Sequence, residues 1–244
     1  MSIGLPLSAV PEVAATALPW LAEPHPGIEP RLVEAYTDDG LPALRVGDLD
    51  ILLVADDRQR ATPVPPGLHS FVVFEGLYRI AVPASWPTPA GPADLDGRPW
   101  VGAPAGSARA RAFGRFAATH AITPSVEHLA VHQMTTKAMV SAQLGAALLP
   151  EFLAATIPGG TLCDIEVAGT YLVRMFRRRL TDRSVPAVEA AASAFYDAML
   201  VGAERYSDSP RAARPVHVVH PQDPSRTAGS RPRPPVRSDS TNPD

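Results

Sequence analysis

Several residue types are scarce in this sequence of 244 residues, and each scarcity excludes a class of structure. Cys163 is the one cysteine, so an intrachain disulfide framework and a multi-cysteine metal site are both impossible. The chain lacks any run of about 18 or more apolar residues, which excludes a conventional transmembrane helix. Lys137 is the one lysine. The formal net charge of -3 does not indicate a nucleic-acid coat or a membrane-surface protein.

The amino-terminal segment, MSIGLPLSAVPE, also lacks the basic start and the long apolar stretch of a secretory signal peptide. Together with the scarcity of cysteine, this predicts a protein of a reducing compartment, most simply the cytoplasm. Hydrophobic residues make up 45% of the chain and charged residues 19%, which is an ordinary globular balance. The length is sufficient for one or two domains with a sizeable core.

The carboxyl-terminal segment differs in composition from the rest. Residues 205–244 are rich in proline and arginine and, beyond a short Val-His-Val-Val stretch, almost devoid of apolar side chains. Such a segment buries too little apolar surface to offset the entropy lost on folding. We therefore predict that 205–244 is a disordered tail.

Residues 1–204 alternate between strand-like and helix-like patterns. Such alternation predicts an α/β fold with largely parallel sheets. The pairs Asp38-Asp39 and Asp56-Asp57 fall in predicted turns, where carboxylates are usually solvated. Strands are predicted at 2–5, 28–35, 49–55, 71–74, 77–82, 100–103, 125–129, 145–149, 161–167 and 171–176, and helices after Ser8 and at 41–46, 108–120, 135–143 and 186–204.

Four segments give this chain a resemblance to a known family. The first is residues 2–35, with an "HPGI" turn before its second strand, and the second is LPALRVGDLDILLV at 41–54. The third combines YRIAVPASWP at 78–87 with DLDGRPWV at 94–101, and the fourth is TKAMVSAQLGAALLPEFL at 136–153. In this order and spacing they resemble the effector-binding (substrate-binding) domain of LysR-type transcriptional regulators.

The resemblance implies a two-lobed fold of the type II periplasmic-binding-protein kind, with two strands that cross the hinge. Lobe I is expected at 1–76 plus 155–204 and lobe II at 77–154, with a small-molecule effector in the cleft between them. A homodimer is also implied. Two positions depart from the family pattern. Trp86 occupies a position where the family usually has histidine, and Gln143 occupies a position where it usually has glycine.

The family also implies a winged helix-turn-helix before the effector domain, and none precedes the first strand in this sequence. We therefore expect no direct DNA binding by the chain as given.

Candidate ligand-binding residues lie where predicted strands end and helices begin. Helix amino termini with free N–H groups and a positive dipole end favour anions, so a carboxylate effector is expected. The hydroxyls of Ser8, Ser107 and Thr135 could instead simply cap helices, and Lys137 could be a solvated lysine in a first helical turn. For these residues both the ligand-binding and the structural explanation stay open. His132 and Gln133 offer further hydrogen bonds. The predicted ligand-binding residues are Leu7, Ser8, Gly102, Ser107, His132, Thr135 and Lys137.

Catalytic and metal chemistry have little support in the sequence. It contains no G-x-S-x-G elbow, P-loop or G-x-G-x-x-G motif. His128 and His132 are four residues apart, but a strand-to-helix transition between them would break a metal-binding geometry. We predict no enzyme activity, no catalytic residues, no metal and no cofactor.

The sequence thus predicts an effector-binding domain that senses a small, anionic metabolite in an inter-lobe cleft to regulate transcription. Two alternatives stay open: a fragment or mis-started version of a complete DNA-binding LysR-type factor, and a solute-binding protein. The predicted partners are the effector and a second copy of the chain or a full-length relative, with no membrane partner.

Overall fold

The computed structural model describes residues 1–6, 13–178 and 186–207. Two predicted ligand residues, Leu7 and Ser8, lie outside these ranges, as does the predicted tail beyond Ser207. The last helix reaches Ser207, so its end lies beyond the tail boundary predicted at 205. Within the described ranges, no helix combines the length and the hydropathy needed to cross a bilayer.

The described residues form nine strands and six α-helices. The strands are β1 (Ser2–Leu5), β2 (Arg31–Glu34), β3 (Ile51–Asp57), β4 (Leu68–Pro83), β5 (Pro99–Gly102), β6 (Ser125–Leu129), β7 (Ala147–Pro150), β8 (Gly160–Leu162) and β9 (Thr170–Arg178). The helices are α1 (Ala15–Ala22), α2 (Thr37–Val46), α3 (Ala108–His120), α4 (Gln133–Ser141), α5 (Glu151–Ala154) and α6 (Pro186–Ser207).

The larger sheet mixes strand directions. Its order is β2-β1-β3-β9-β4-β7, with β8 also paired to β4. Strands β2, β1 and β3 are parallel, whereas β9 pairs antiparallel with both β3 and β4. The prediction of largely parallel sheets was therefore wrong for the centre of the molecule, because β9 returns from a distant part of the chain between two strands of opposite direction.

Strand β4 changes its pairing partners along its length. Its first part, to Leu77, pairs with β9, and its second part, from Tyr78, pairs with β7 and β8. Two separate strands were predicted here because Glu75 and Gly76 resemble a turn. They instead pair with Leu172 and Tyr171, since β9 supplies a continuous set of hydrogen-bonding partners.

The second half of the fold also contains a small parallel sheet. Strands β5 and β6 pair in parallel, and an isolated bridge between Trp100 and Ala146 joins β5 to the residues before β7. We call β1–β3, β9, the start of β4 and helices α1, α2 and α6 the first half. The end of β4, β5–β8 and α3–α5 form the second half.

Burial on both faces explains the unbroken apolar run of β3. Ile51 and Leu53 pack into the core cluster that contains α1 and α6, whereas Leu52 and Val54 pack into the cluster that contains α2. All four side chains are buried. Because successive strand residues point to opposite faces, a strand between two helical layers requires an apolar residue at every position.

Gln143, which departs from the family pattern, has a left-handed backbone. Its φ is 65°, a conformation that favours the family's glycine. Four hydrogen bonds hold the side chain in compensation: Oε1 accepts from the Ser85 N–H at 3.1 Å and from Ser85 Oγ at 2.6 Å, and Nε2 donates to the carbonyls of Ser141 and Gly159.

Cys163 follows β8 and is expected to be inert in the native protein. Its side chain is buried, and burial raises the pKa of its thiol to about 11. At pH 8 only about one thiol in a thousand is then the reactive thiolate. Titration with a thiol-specific chromogenic disulfide should label the native chain very slowly and the denatured chain fully. Complete labelling of the native chain within minutes would contradict this burial.

Candidate functional site

A cavity of about 730 Å³ opens between the two halves. It lies at the carboxyl ends of the parallel strands β1, β2, β3, β5 and β6, which is where open α/β sheets bind their ligands. The volume suits a small organic molecule. Its lining comprises Pro6, residues 35–38, Val54, Ala55, residues 60–63, Tyr78, residues 103–109, Arg111, residues 131–133, Pro150 and Tyr171.

Three helices begin at the cavity wall. The first residues of α2, α3 and α4 all belong to its lining, so three positive dipole ends and their free N–H groups converge there. Ser107 caps α3, since its Oγ accepts a hydrogen bond from the Ala110 N–H at 3.2 Å. This is the ordinary capping role that the sequence left open, and it occurs within the lining of the cavity.

Arg109 is a buried cation in this wall. Its side chain extends from the first turn of α3, and only 7% of the residue is exposed. The guanidinium donates hydrogen bonds to the carbonyls of Gly102 and Ala130 and to Thr136 Oγ1, all of which are neutral acceptors. In the part of the chain that the structure describes, it forms no salt bridge with a carboxylate. Burial lowers its pKa to about 10, which still leaves the group protonated at neutral pH.

Two aspartates at the end of β3 join the halves through buried ion pairs. Asp56 accepts from Arg111 of α3 at 2.8 Å and from Arg174 of β9 at 2.8 Å, and Asp57 accepts two hydrogen bonds from Arg115 of α3. Both carboxylates are fully buried. The prediction that they are solvated turn residues was therefore wrong, because their arginine partners are 55 to 118 positions away in the sequence.

The other acidic pair lies in a helix. Asp38 and Asp39 were predicted to lie in a loop, but they belong to the first helical turn of α2. Asp39 accepts a hydrogen bond from the Tyr36 N–H at 2.9 Å. Both residues are exposed, as acids at a helix amino terminus commonly are.

Aromatic and amide groups form part of the cavity lining. Tyr78 and Tyr171 pack edge to face with ring centroids 5.9 Å apart, and Gln133 makes a side-chain hydrogen bond with Tyr171. Burial raises the pKa of Tyr171 to about 12 and that of Tyr78 further still, so both phenols are neutral. Tyr78 lines the same cavity as Arg109 and Arg111.

His132 connects the halves at a second point. The Tyr36 hydroxyl donates to Glu34 Oε1 at 2.8 Å, and the same hydroxyl is hydrogen-bonded to His132 Nδ1. Tyr36 and Glu34 belong to the first half, whereas His132 precedes α4 in the second half. A ligand that enters the cavity therefore meets a polar contact that spans it.

Some of the predicted ligand residues line the cavity and others do not. Ser107 and His132 line the cavity, and so does Gln133. Gly102, Thr135 and Lys137 do not. Lys137 donates to Thr156 Oγ1 at 2.6 Å, and Thr135 is exposed. The space that a Cβ atom of Gly102 would occupy is taken by the Val126 side chain. Thr135 and Lys137 were predicted because they lie in the first turn of α4, but their side chains do not line the cavity. Gly102 was predicted because it ends β5, but it does not line the cavity either.

The residues predicted from the sequence do not include Tyr78, Arg109 or Tyr171. Arg109 did carry a usable signal, because an arginine in the first turn of a helix opposes the helix dipole and indicates some other role. The two tyrosines lie on strands that looked like ordinary core, and only the tertiary structure turns them toward the cavity.

Two α/β halves joined by the continuous strand β4, with a cavity between them, define a two-lobed ligand-binding domain of the type II periplasmic-binding-protein kind. The family model described as "LysR substrate binding domain" matches residues 1–200. The chain belongs to this family, and the fold and effector-binding class predicted from the sequence are confirmed.

Solved structures share this fold at low sequence identity. The effector-binding domain of QuiR, in complex with shikimate, is 13% identical with a TM-score of 0.67, over 84% of this chain and 97% of that one. The regulatory domain of CcmR from Synechocystis PCC6803, in complex with 2-PG, is 12% identical with a TM-score of 0.66, over 81% and 96%. A variant BenM effector-binding domain is 15% identical with a TM-score of 0.65, over 82% and 94%. Among curated proteins, no sequence matches this chain.

Proposed function

We propose that the cavity binds a small metabolite bearing a carboxylate, and that this binding is the signal which the domain passes to transcription. Arg109 carries the proposal. A buried guanidinium with only neutral partners retains much of its desolvation cost, and an anion in the cavity would offset it. The three helix amino termini add to the same preference.

The relatives support small-molecule binding in general. QuiR and CcmR domains of the same fold were solved with shikimate and with 2-PG. We place the ligand between two lobes that divide where β4 changes partners, between Leu77 and Tyr78. The return to the first lobe is placed after β8 rather than at residue 155, because β8 pairs with the same end of β4 as β7 does.

The proposal extends to location and assembly. A cytoplasmic sensor that pairs with a second copy or with a full-length relative fits the regulatory class of the family. Within that assembly, the ligand acts by binding one arrangement of the lobes better than the other.

A panel of acids tests the proposal. We expect at least one of propionate, succinate and phenylacetate to raise the melting temperature of the full chain in a saturable manner, because a ligand that binds only the folded state stabilises it. Propionamide, succinamide and phenylacetamide are the matched neutral controls, and sodium chloride controls for ionic strength. Equal shifts with acids and amides, or no shift with any compound, would refute a carboxylate effector.

A further inference from the structure

Three polar atoms around the cavity are buried and lack a hydrogen-bond partner among the residues that the structure describes. They are the Tyr78 hydroxyl, Arg111 Nε and Gln133 Oε1. All three residues line the cavity, and Tyr78 is only 2% exposed. A buried polar group without a partner costs free energy, so three around one cavity indicate a partner that arrives from outside the chain.

The three atoms differ in hydrogen-bonding character. Arg111 Nε can only donate, whereas the Tyr78 phenol, neutral because burial raises its pKa, has a hydrogen to donate and can also accept. Gln133 Oε1 is an acceptor only, because it is an amide carbonyl oxygen. The same side chain also makes a hydrogen bond with Tyr171. A ligand with acceptor atoms for Arg111 Nε and the Tyr78 hydroxyl, and one donor for Gln133 Oε1, would satisfy all three groups.

From this pattern we propose that the ligand is a hydroxylated carboxylic acid. Its carboxylate accepts from Tyr78 and Arg111, and its hydroxyl donates to Gln133 Oε1. This inference rests on the proposed function and specifies the substrate class of the same site.

An amino group is the other donor that Gln133 could accept from. Arg109 and Arg111 both line the cavity, and the Asp56 carboxylate beside Arg111 is already shared by two arginines. A second cation brought among these charges would be repelled. A hydroxyl supplies the same hydrogen bond without the charge.

Matched pairs of acids test the inference on the full chain. Calorimetric titration compares lactate with propionate, malate with succinate, and mandelate with phenylacetate, so that each pair differs by one hydroxyl. In at least one pair the hydroxy acid is expected to bind about tenfold more tightly or better, because a site built around a hydroxyl discriminates strongly against an analogue without it. The Gln133→Leu variant should reduce that ratio to about one.

Two further variants complete the test. Thr119→Val, an exposed position on α3, should leave the ratio unchanged. Tyr78→Phe removes a hydroxyl that has no partner to lose, so it should fold at least as stably and bind both acids of the pair more weakly. It therefore probes the site even if Gln133→Leu does not fold.

The outcomes separate the two claims. Binding of acids with a ratio of about one in every pair overturns the hydroxy-acid inference and leaves the carboxylate proposal intact. A hydroxyl preference that survives Gln133→Leu also overturns the inference, because the hydroxyl would then be recognised elsewhere. No binding by any acid refutes the proposed function, and the inference with it.

Discussion

Replacing Arg109 with methionine is expected to weaken the binding of a carboxylate ligand by about 100-fold or more. Removing one partner of a desolvated charge pair typically costs about 3 kcal/mol or more, because the remaining charge is left in a poorly hydrated site. Methionine preserves the length and apolar character of the stem, so the loss reports on the guanidinium. Titration of wild type and variant with the tightest-binding acid of the panels above measures the effect.

Two other substitutions show whether charge or geometry is responsible. Arg109→Lys keeps the positive charge but loses the planar fork that contacts Gly102, Ala130 and Thr136, so an intermediate loss of affinity is expected. Arg45→Met removes an exposed arginine from the far end of α2 and should leave affinity unchanged. If Arg109→Met binds the acid as tightly as wild type, Arg109 does not recognise the ligand.

The Asp56→Asn variant is expected to lose about 3–5 kcal/mol of unfolding free energy. The fully buried carboxylate is shared by Arg111 and Arg174, and it also accepts from the Thr62 N–H at 2.8 Å. Asparagine keeps the size of the side chain but leaves two guanidinium groups without their shared counter-ion. Urea denaturation followed by circular dichroism measures the change.

A matched aspartate on the surface isolates the effect of burial. Asp48 is exposed, so Asp48→Asn should change the unfolding free energy by less than about 0.5 kcal/mol. If Asp56→Asn behaved like this control, the buried ion pairs would contribute little to stability. An unfolded Asp56→Asn chain would agree with the expected loss.

Local patterns in the sequence predicted the elements better than their arrangement. The strands β1 and β6 and the helix α3 with its cap at Ser107 were placed correctly, because alternation, periodicity and capping are local properties. The position of β9 between β3 and β4 was not predictable in this way. It depends on hydrogen bonding between residues about 100 positions apart, and a single sequence carries no signal for such pairing.

The candidate site, like the fold, was predictable from the sequence only in part. The family resemblance and the helix starts led to the edge of the sheet where the cavity lies, and Ser107 and His132 belong to the cavity lining. Which side of α4 faces the cavity was not decidable from its sequence, so Lys137 was assigned to the ligand although it contacts Thr156. The buried charges were missed because a carboxylate appears solvated until its partner is known.

The contact between Lys137 and Thr156 also makes this chain convenient for spectroscopy. Since the sequence contains one lysine, amine-directed chemistry modifies only Lys137 and the α-amino group. Reductive methylation with carbon-13 formaldehyde would place a single dimethyl-ammonium label on α4, the helix whose first turn borders the cavity. A change in the contact between α4 and Thr156 on ligand addition would then appear as the shift of one resonance, with no mutation and no crowding from other lysines.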